Sequence, residues 1–436
     1  MSVLPQGWAD AEIGQIAQIE TGNTPSKNDG SLYGREVCFY KPGDLDVGGV
    51  VSVSNDMVSK AGAQAGRLLP AESLLVTCIG NLGKSALIAQ PAICNQQINA
   101  VLPSSVVEPH YLYYWSRTLK PWLEENSSAT TVSIINKGRF SKAPIRIAPL
   151  LEQRRIVAKI DSLTGKSRRA RDHLDHIPRL VEKYRQAVLV SAFSERDRTA
   201  WGNGKLEDFI SDALIGLVRG KSEQSDISGA PYIRMNHFDL NGQWNDDKLT
   251  FIEATPQEIG RYELCGGDVL FNTRNSFELV GKVALWQDGR AGHLYNNNIL
   301  RLRFNEKVVP RFATLWMMSE PFRAYLQTQK SATTSVCAIY QRSIMAAPFP
   351  LPSIAEQNAI VAKIDSAFTW IDRLAADATS ARTLIGHLDQ AVLAKAFKGE
   401  LVPQDPNDEP ASALLDRIGA ERAAAPTAKR GRKKAA

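Results

Sequence analysis

Glu152, Gln153, Arg154, Arg155, Ile156, Val157, Ala158, Lys159, Ile160, Asp161, Ser162 returns 204 positions later as Glu356, Gln357, Asn358, Ala359, Ile360, Val361, Ala362, Lys363, Ile364, Asp365, Ser366. The offset still holds where Gln186, Ala187, Val188, Leu189, Ala192 and Phe193 match Gln390, Ala391, Val392, Leu393, Ala396 and Phe397. An equal offset at both ends leaves no insertion between them. Each copy is therefore about 42 residues, or roughly 60 Å of helix at 1.5 Å per residue. A duplicated spacer of fixed length predicts a ruler that holds two modules a set distance apart. The alternative, two unrelated surface helices on separate domains, sits poorly with so long an ungapped match.

Heptads support the helix. In the second copy Ile360, Ile364, Ala367, Ile371, Leu374, Ala378, Ala381, Ile385, Leu388 and Val392 follow the a/d spacing of a coiled-coil seam. The first copy keeps that register with Ile156, Ile160, Leu163, Ala170, Leu174, Ile177, Val181, Tyr184 and Val188. Ser167, Gly165 and Pro178 interrupt it, and Pro178 predicts a kink because it removes a backbone donor. Two matched apolar stripes bury most simply against each other. The duplication predicts a pseudo-twofold, antiparallel pair.

The 436 residues suffice for two or three domains, and no apolar run is long enough to span a membrane. Residues Met1 to Trp8 lack the basic-then-apolar layout of a secretory signal. Cys38, Cys78, Cys94, Cys265 and Cys337 are scattered, with no Cys-x-x-Cys pair. That fits thiols in a reducing cytoplasm, with neither a disulfide framework nor a zinc site. The formal charge of +6 is mild. Its excess lies on the first helix (Arg154, Arg155, Lys166, Arg168, Arg169, Arg171, Arg179) and on a C-terminal tail (Lys429, Arg430, Arg432, Lys433, Lys434). A chain that gripped nucleic acid alone would carry a stronger basic stripe, so either DNA is not the ligand or a partner supplies phosphate contacts.

The segments ahead of the two helices also share an order. Each opens at a Gly/Trp turn (Gly7, Trp8; Trp201, Gly202), followed by a short amphipathic stretch (Glu12, Ile13, Ile16; Leu206, Phe209, Ile210). Alternating runs come next (Val37, Phe39, Tyr40; Tyr232, Ile233, Met235), then buried strands at 73–79 and 268–271. Gly83, Lys84, Ala86, Leu87 match Gly281, Lys282, Ala284, Leu285. Ser128, Ala129, Thr130, Thr131 match Ser331, Ala332, Thr333, Thr334, and Ala143, Pro144 match Ala347, Pro348. Strands mixed with short helices predict an α+β (mixed α/β) class. The layout is globule (1–151), helix (152–198), globule (199–355), helix (356–400) and a C-terminal segment (401–436) whose basic end is expected to be disordered.

Catalytic motifs are scarce. Gly83, Lys84, Ser85 resemble the end of a phosphate-binding loop, but Cys78 stands where that motif needs glycine, and Val283 replaces the hydroxyl in the second half. No Pro-Pro pair offers the Asn/Asp-Pro-Pro-aromatic motif of amino-methyltransferases, and no Glu-x-Lys supplies half of a nuclease site. His173 and His176 read as solvated helix surface, since no third metal ligand is evident. The weight moves to binding.

Candidate contacts are polar loops that combine basic residues with amides and hydroxyls. Thr273, Arg274, Asn275 and Ser276 fill the turn after a buried strand, and Asn81 and Lys84 occupy the equivalent turn, with Lys282 matching Lys84. Asn95, Gln96 and Gln97 parallel Asn296, Asn297 and Asn298; Arg234 and Asn236 follow the second alternating run. Thr130, Thr131, Thr333 and Thr334 complete the set. Arg and Lys can bridge guanine in the major groove, and Asn and Gln can bridge adenine. The competing role for such amides is to cap strands and turns.

Two recognition-sized globules, each followed by Glu-Gln-x-x-Ile-Val-Ala-Lys-Ile-Asp, resemble the DNA-specificity subunit of a type I restriction–modification system. The resemblance runs from Leu4, Pro5, Gly7, Trp8 to Leu415 and includes Phe397, Gly399, Glu400, Leu401, Val402, Pro403. Pro178 and the basic tail depart from it. The resemblance implies two target-recognition domains, each reading one half of a split double-stranded DNA target. It also implies that helix residues such as Glu152, Gln153, Ile156, Ile160, Glu356, Gln357, Ile360 and Ile364 form the spacer and dock two methyltransferase subunits, which nuclease/translocase subunits join. No cofactor or metal is then expected in this chain; S-adenosylmethionine, ATP and Mg belong to the partners. The rival classes are a protein-only coiled-coil scaffold and a diverged methyltransferase or nuclease.

Overall fold

A computed structural model describes residues 4–128, 132–194, 201–245, 249–287, 291–332 and 336–424. It divides into two compact units, Met1–His173 with Ala381–Ala436, and Leu174–Ser380. Each spacer is thus shared between units rather than standing apart from both globules.

In the first unit, strands Ile19–Thr21, Ile98–Val101, Leu74–Thr77, Ser85–Ile88 and Val50–Val51 bond in that order. All neighbours are antiparallel except the last pair. The central strands are apolar along both faces (Leu74, Leu75, Val76; Ile98, Ala100, Val101) and every one of these residues is buried. A run without alternation needs cover on both sides. One face packs into the core with Tyr111, Trp115 and Ile156, the other with Tyr40, Leu69 and Ile88. Tyr33–Tyr40 lies between Asp56–Val58 and Ile93–Cys94 in a smaller sheet.

The second unit repeats the plan. Strands Ile210–Ile215, Ile299–Phe304, Val269–Asn272 and Val283–Leu285 form one sheet. Gln224–Ser225, Thr250–Ile252, Ala230–Ile233 and Leu294–Tyr295 form another. In both units the opening segment zips antiparallel onto the segment that precedes the spacer: Ala9–Glu12 on Pro144–Ile147, and Gly202–Lys205 on Pro348–Leu351. These are two-stranded pairs, so Pro144, Pro348 and Pro350 deprive no second neighbour of a donor.

The spacers begin at Leu150 and Ile354. The second is one helix, Ile354–Ala396, whereas the first divides into Leu150–Asp175 and Ile177–Ala192. Pro178 sits at the second position of the Ile177–Ala192 helix, where its missing donor costs nothing. Within each unit the two spacers run antiparallel. In the first, Ile156 and Ile160 share a core with Val392 and Ala396, and Arg171 pairs with Asp389 at 2.5 Å. In the second, Arg185 pairs with Asp372, and Leu189 joins Ile364 and Ile371.

The seam differs from the heptad expectation beyond the break. Tyr184 is 57% exposed, while Arg185, one position on, and Leu189, one position after Val188, are buried. Interrupting the helix at His176 resets which face points inward. In the long helix Leu374 and Leu388 are likewise exposed despite their a/d spacing.

Ala411–Ala424 is a helix, and its Ala411, Leu414 and Ile418 enter the first unit's core. Ala411 N–H donates to Gly7 O (2.8 Å), Arg155 pairs with Asp408 (2.5 Å), and the rings of Phe397 and Tyr111 lie 5.0 Å apart. The basic residues from Lys429 to Lys434 lie outside the described residues. All five cysteines are free thiols, and burial pushes Cys78 and Cys94 up to about 12, which leaves them unreactive. No helix among the described residues is long and apolar enough to cross a membrane.

Candidate nucleic-acid interface

The polar loops singled out in sequence meet at one end of the main sheet in each unit, and there they divide into frame and face. Asn95 is buried, and its side chain holds Gln97 through Nδ2 to Oε1 (2.9 Å) and through Gln97 N–H to Oδ1 (3.1 Å). Asn296 repeats this by accepting from Asn298 N–H (3.2 Å). Thr273 is buried, its hydroxyl donating to Asn298 O (3.0 Å). Asn275 braces its own turn, donating to Asn272 Oδ1 (2.8 Å) and accepting from Ser276 N–H (2.9 Å). These are turn-building roles.

The lysines also have partners within their own units. Lys282 is buried, its ammonium donating to Met235 O and Phe238 O above the Phe238 ring, and burial lowers its pKa. Two carbonyls and an aromatic face satisfy this cation internally. Lys84 pairs with Asp46 at 2.5 Å. Arg234 is half-buried and reaches Gln224 Oε1 (3.4 Å).

What remains outward is Asn81, Gln96, Asn236 and Arg274, with Gln97, Asn275, Ser276 and Asn297 half-buried. Among the described residues, Arg274 has no side-chain hydrogen bond or ion pair. It borders a recess of about 230 Å³ with Thr273, Asn297, Tyr340 and Gln341. Tyr340, which is 59% exposed, went unnoticed in the sequence. Tyr340 stands 66 positions from Arg274 in the sequence, and only the fold brings both to one recess. Thr130, Thr131, Thr333 and Thr334 lie outside the described residues. Nor do the described residues hold any group of three His, Cys, Asp or Glu able to bind a metal.

The Glu-Gln motif has a geometric meaning. Gln153 is buried, donating to Val106 O (3.1 Å) and Ala148 O (2.9 Å) and accepting from Glu108 N–H (2.9 Å). Gln357 donates to Lys307 O (2.8 Å) and Pro352 O (3.0 Å) and accepts from Val309 N–H (2.8 Å). Each glutamine clamps its helix to its own globule and is withdrawn from any partner surface. Ile156, Ile160 and Ile364 are buried as well, while Ile360 is half-buried.

The glutamates have diverged. Glu356 is exposed and caps its helix through Ser353, whose hydroxyl and amide hold the carboxyl below its ordinary value. Glu152 is buried with Gln404 Nε2 at 3.5 Å, and burial raises its pKa.

Comparison with known proteins fits this architecture. The profile of the type I restriction modification DNA specificity domain matches residues 5–173. The chain is 25% identical to the specificity subunit of the EcoKI type I restriction enzyme of Escherichia coli (strain K12), over 99% of each chain. It is 27% identical to the StySPI specificity subunit of Salmonella potsdam, again over 99% of both. In fold it resembles a chain from a solved type I R-M system assembly, with a TM-score of 0.72 and 20% identity over 92% of this chain and 100% of that one. The HsdS subunit of Thermoanaerobacter tengcongensis is similar with a TM-score of 0.59 and 19% identity, over 91% of this chain and 98% of that one. With its two duplicated units and two Glu-Gln spacers, the chain is similar along its whole length to specificity subunits of type I restriction enzymes, and its residues 5–173 match their DNA specificity domain.

Proposed function

We propose that this chain is the sequence-reading subunit of a type I restriction–modification complex, with each compact unit reading one half of a bipartite, asymmetric DNA target. The observation that carries this reading is the repeated unit with a conserved frame and an outward polar face. Two non-identical readers on one chain suit two different half-sites, whereas identical ones would impose a symmetric site.

The chemistry belongs to partners in this reading: adenine methylation with S-adenosylmethionine, and ATP- and Mg-dependent translocation and cleavage. The chain itself is non-catalytic and works in the cytoplasm. Docking of two methyltransferase subunits suits the apolar side chains that the spacers leave outward, Trp370 and Leu374 in one unit and Leu384 and Leu388 in the other. The methyltransferases also supply the phosphate-neutralising charge that a net +6 spread over 436 residues does not.

Co-expression with the methyltransferase subunits, followed by DNA binding across a salt series, tests the proposal. A stable complex should discriminate its target from scrambled DNA at every salt concentration. Stable assembly without DNA discrimination would favour the protein-only scaffold. Methyl transfer by the isolated chain would make it an enzyme.

A further inference from the structure

The two sheet ends are built on one frame, bond for bond. Gly22 N–H reaches Ile98 O at 3.0 Å, and Gly216 N–H reaches Ile299 O at 3.1 Å. Cys78 N–H to Gln97 O is 2.8 Å, as is Thr273 N–H to Asn298 O. Ile135 N–H to Cys78 O (2.8 Å) matches Ile339 N–H to Thr273 O (2.9 Å). The glycines are required by close packing. A Cβ on Gly22 would lie 2.1 Å from Asn95 O, and one on Gly216 would lie 2.3 Å from Tyr295 O.

These bonds align the outward positions of the two units one to one. Ile79 corresponds to Arg274, Gln96 to Asn297, Asn136 to Tyr340 and Lys137 to Gln341. Beneath them Gly22 and Gly216, Asn95 and Asn296, Ile98 and Ile299, and Ile135 and Ile339 keep their identities. Surfaces elsewhere on the units also differ. What singles out this one is the matched frame directly below it, and a recess in the second unit lined by an exposed ring and by a guanidinium that has no partner among the described residues.

Resting on the DNA-specificity reading above, we propose that these paired positions determine the two half-sites: Arg274, Asn297, Tyr340 and Gln341 in the second unit, and Ile79, Gln96, Asn136 and Lys137 in the first. Arg274 offers the bidentate fork that recognises a guanine edge, and the flanking Tyr340 ring supplies apolar contact at the rim of the recess. The first unit replaces both with Ile79 and the Asn136 amide, so it reads a different edge pattern. Asn136 also caps its own helix by accepting from Arg139 N–H at 2.8 Å, which leaves its amide NH2 for the ligand. Lys137, 3.4 Å from Glu20, must exchange that partner to reach DNA.

The test uses the full chain assembled with its methyltransferase subunits on a randomised DNA library, with methylated positions read by sequencing. Arg274→Ala and Tyr340→Ala should relax one half-site, with discrimination at the affected base falling on the order of 5- to 100-fold, and leave the other half-site unchanged. Gln96→Ala should do the reverse. Arg274→Lys keeps the charge without the fork, so it should also lose discrimination while the assembly melts like wild type. That variant decides the matter if the alanine forms do not fold. Variants that keep both half-site preferences in a wild-type complex that is itself selective would overturn this inference alone. Equal loss on every sequence would do the same, reducing Arg274 to a phosphate contact. A wild-type complex with no sequence preference would overturn the specificity reading on which it rests.

Discussion

Gln153 and Gln357, 204 positions apart, each accept one backbone N–H and donate to two backbone carbonyls of the globule ahead of their helix. The repeat motif is thus a joint between module and spacer. Its glutamine does locally what a larger apolar interface would otherwise have to do.

Removing the amide leaves three backbone groups without their partner in a site that excludes water. Gln153→Leu and Gln357→Leu should each destabilise their own unit by about 3–9 kcal/mol, at roughly 1–3 kcal/mol for each of the three stranded groups. Urea titration of the purified chain measures it. A change of less than about 0.5 kcal/mol would remove the glutamine from this role.

The Glu152 and Glu356 carboxyls occupy equivalent positions and should respond to pH with opposite signs. Burial raises Glu152 above the ordinary 4.5, so the folded state binds the proton more tightly than the unfolded chain. Its stabilising share is therefore full below that value and is lost as pH rises through the folded pKa. Glu356 is lowered by its Ser353 cap, so its share is present above 4.5 and is lost as pH falls through the folded pKa. Glu152→Gln should raise the melting temperature at neutral pH and flatten the slope above 4.5. Glu356→Gln should lower it slightly at neutral pH and not in acid. Thermal melts between pH 3.5 and 7.5 separate the two, and a shared sign would contradict the assignment.

Arg185 is buried against the Phe368 ring, 4.8 Å from its centroid, and pairs with Asp372 across the antiparallel spacers. Arg185→Ala should cost about 1–3 kcal/mol, because Asp372 keeps part of its hydration while the ring contact is lost. Arg185→Lys should recover only part of this, since an ammonium cannot lie flat on the ring and hold the carboxylate together. Full recovery in denaturant titration would show that charge alone matters.

Much of this was legible in sequence because it is local. The duplicated helices, the buried strands and the order of the globules follow from periodicity and from the proline and glycine punctuation. The seam register after His176 was hidden, because a single break resets the inward face and no heptad count records it. The docking of Ala411, Leu414 and Ile418 was also hidden, since it depends on meeting Gly7 and Ile156, hundreds of residues earlier. At the candidate site the limit is sharper. Asn95 and Gln96 are neighbours of similar chemistry, yet one is 8% exposed and ties a turn while the other faces outward. Only tertiary packing separates an amide buried in the frame from one that stays exposed, with its Oε1 accepting from the Thr24 hydroxyl at 2.6 Å.

If one chain carries two different readers, sequencing-based mapping of the adenines methylated by the complete complex should return two unlike half-sites separated by a gap of constant length and indifferent sequence. Methylation without sequence preference, or at a single contiguous or symmetric site, would contradict it.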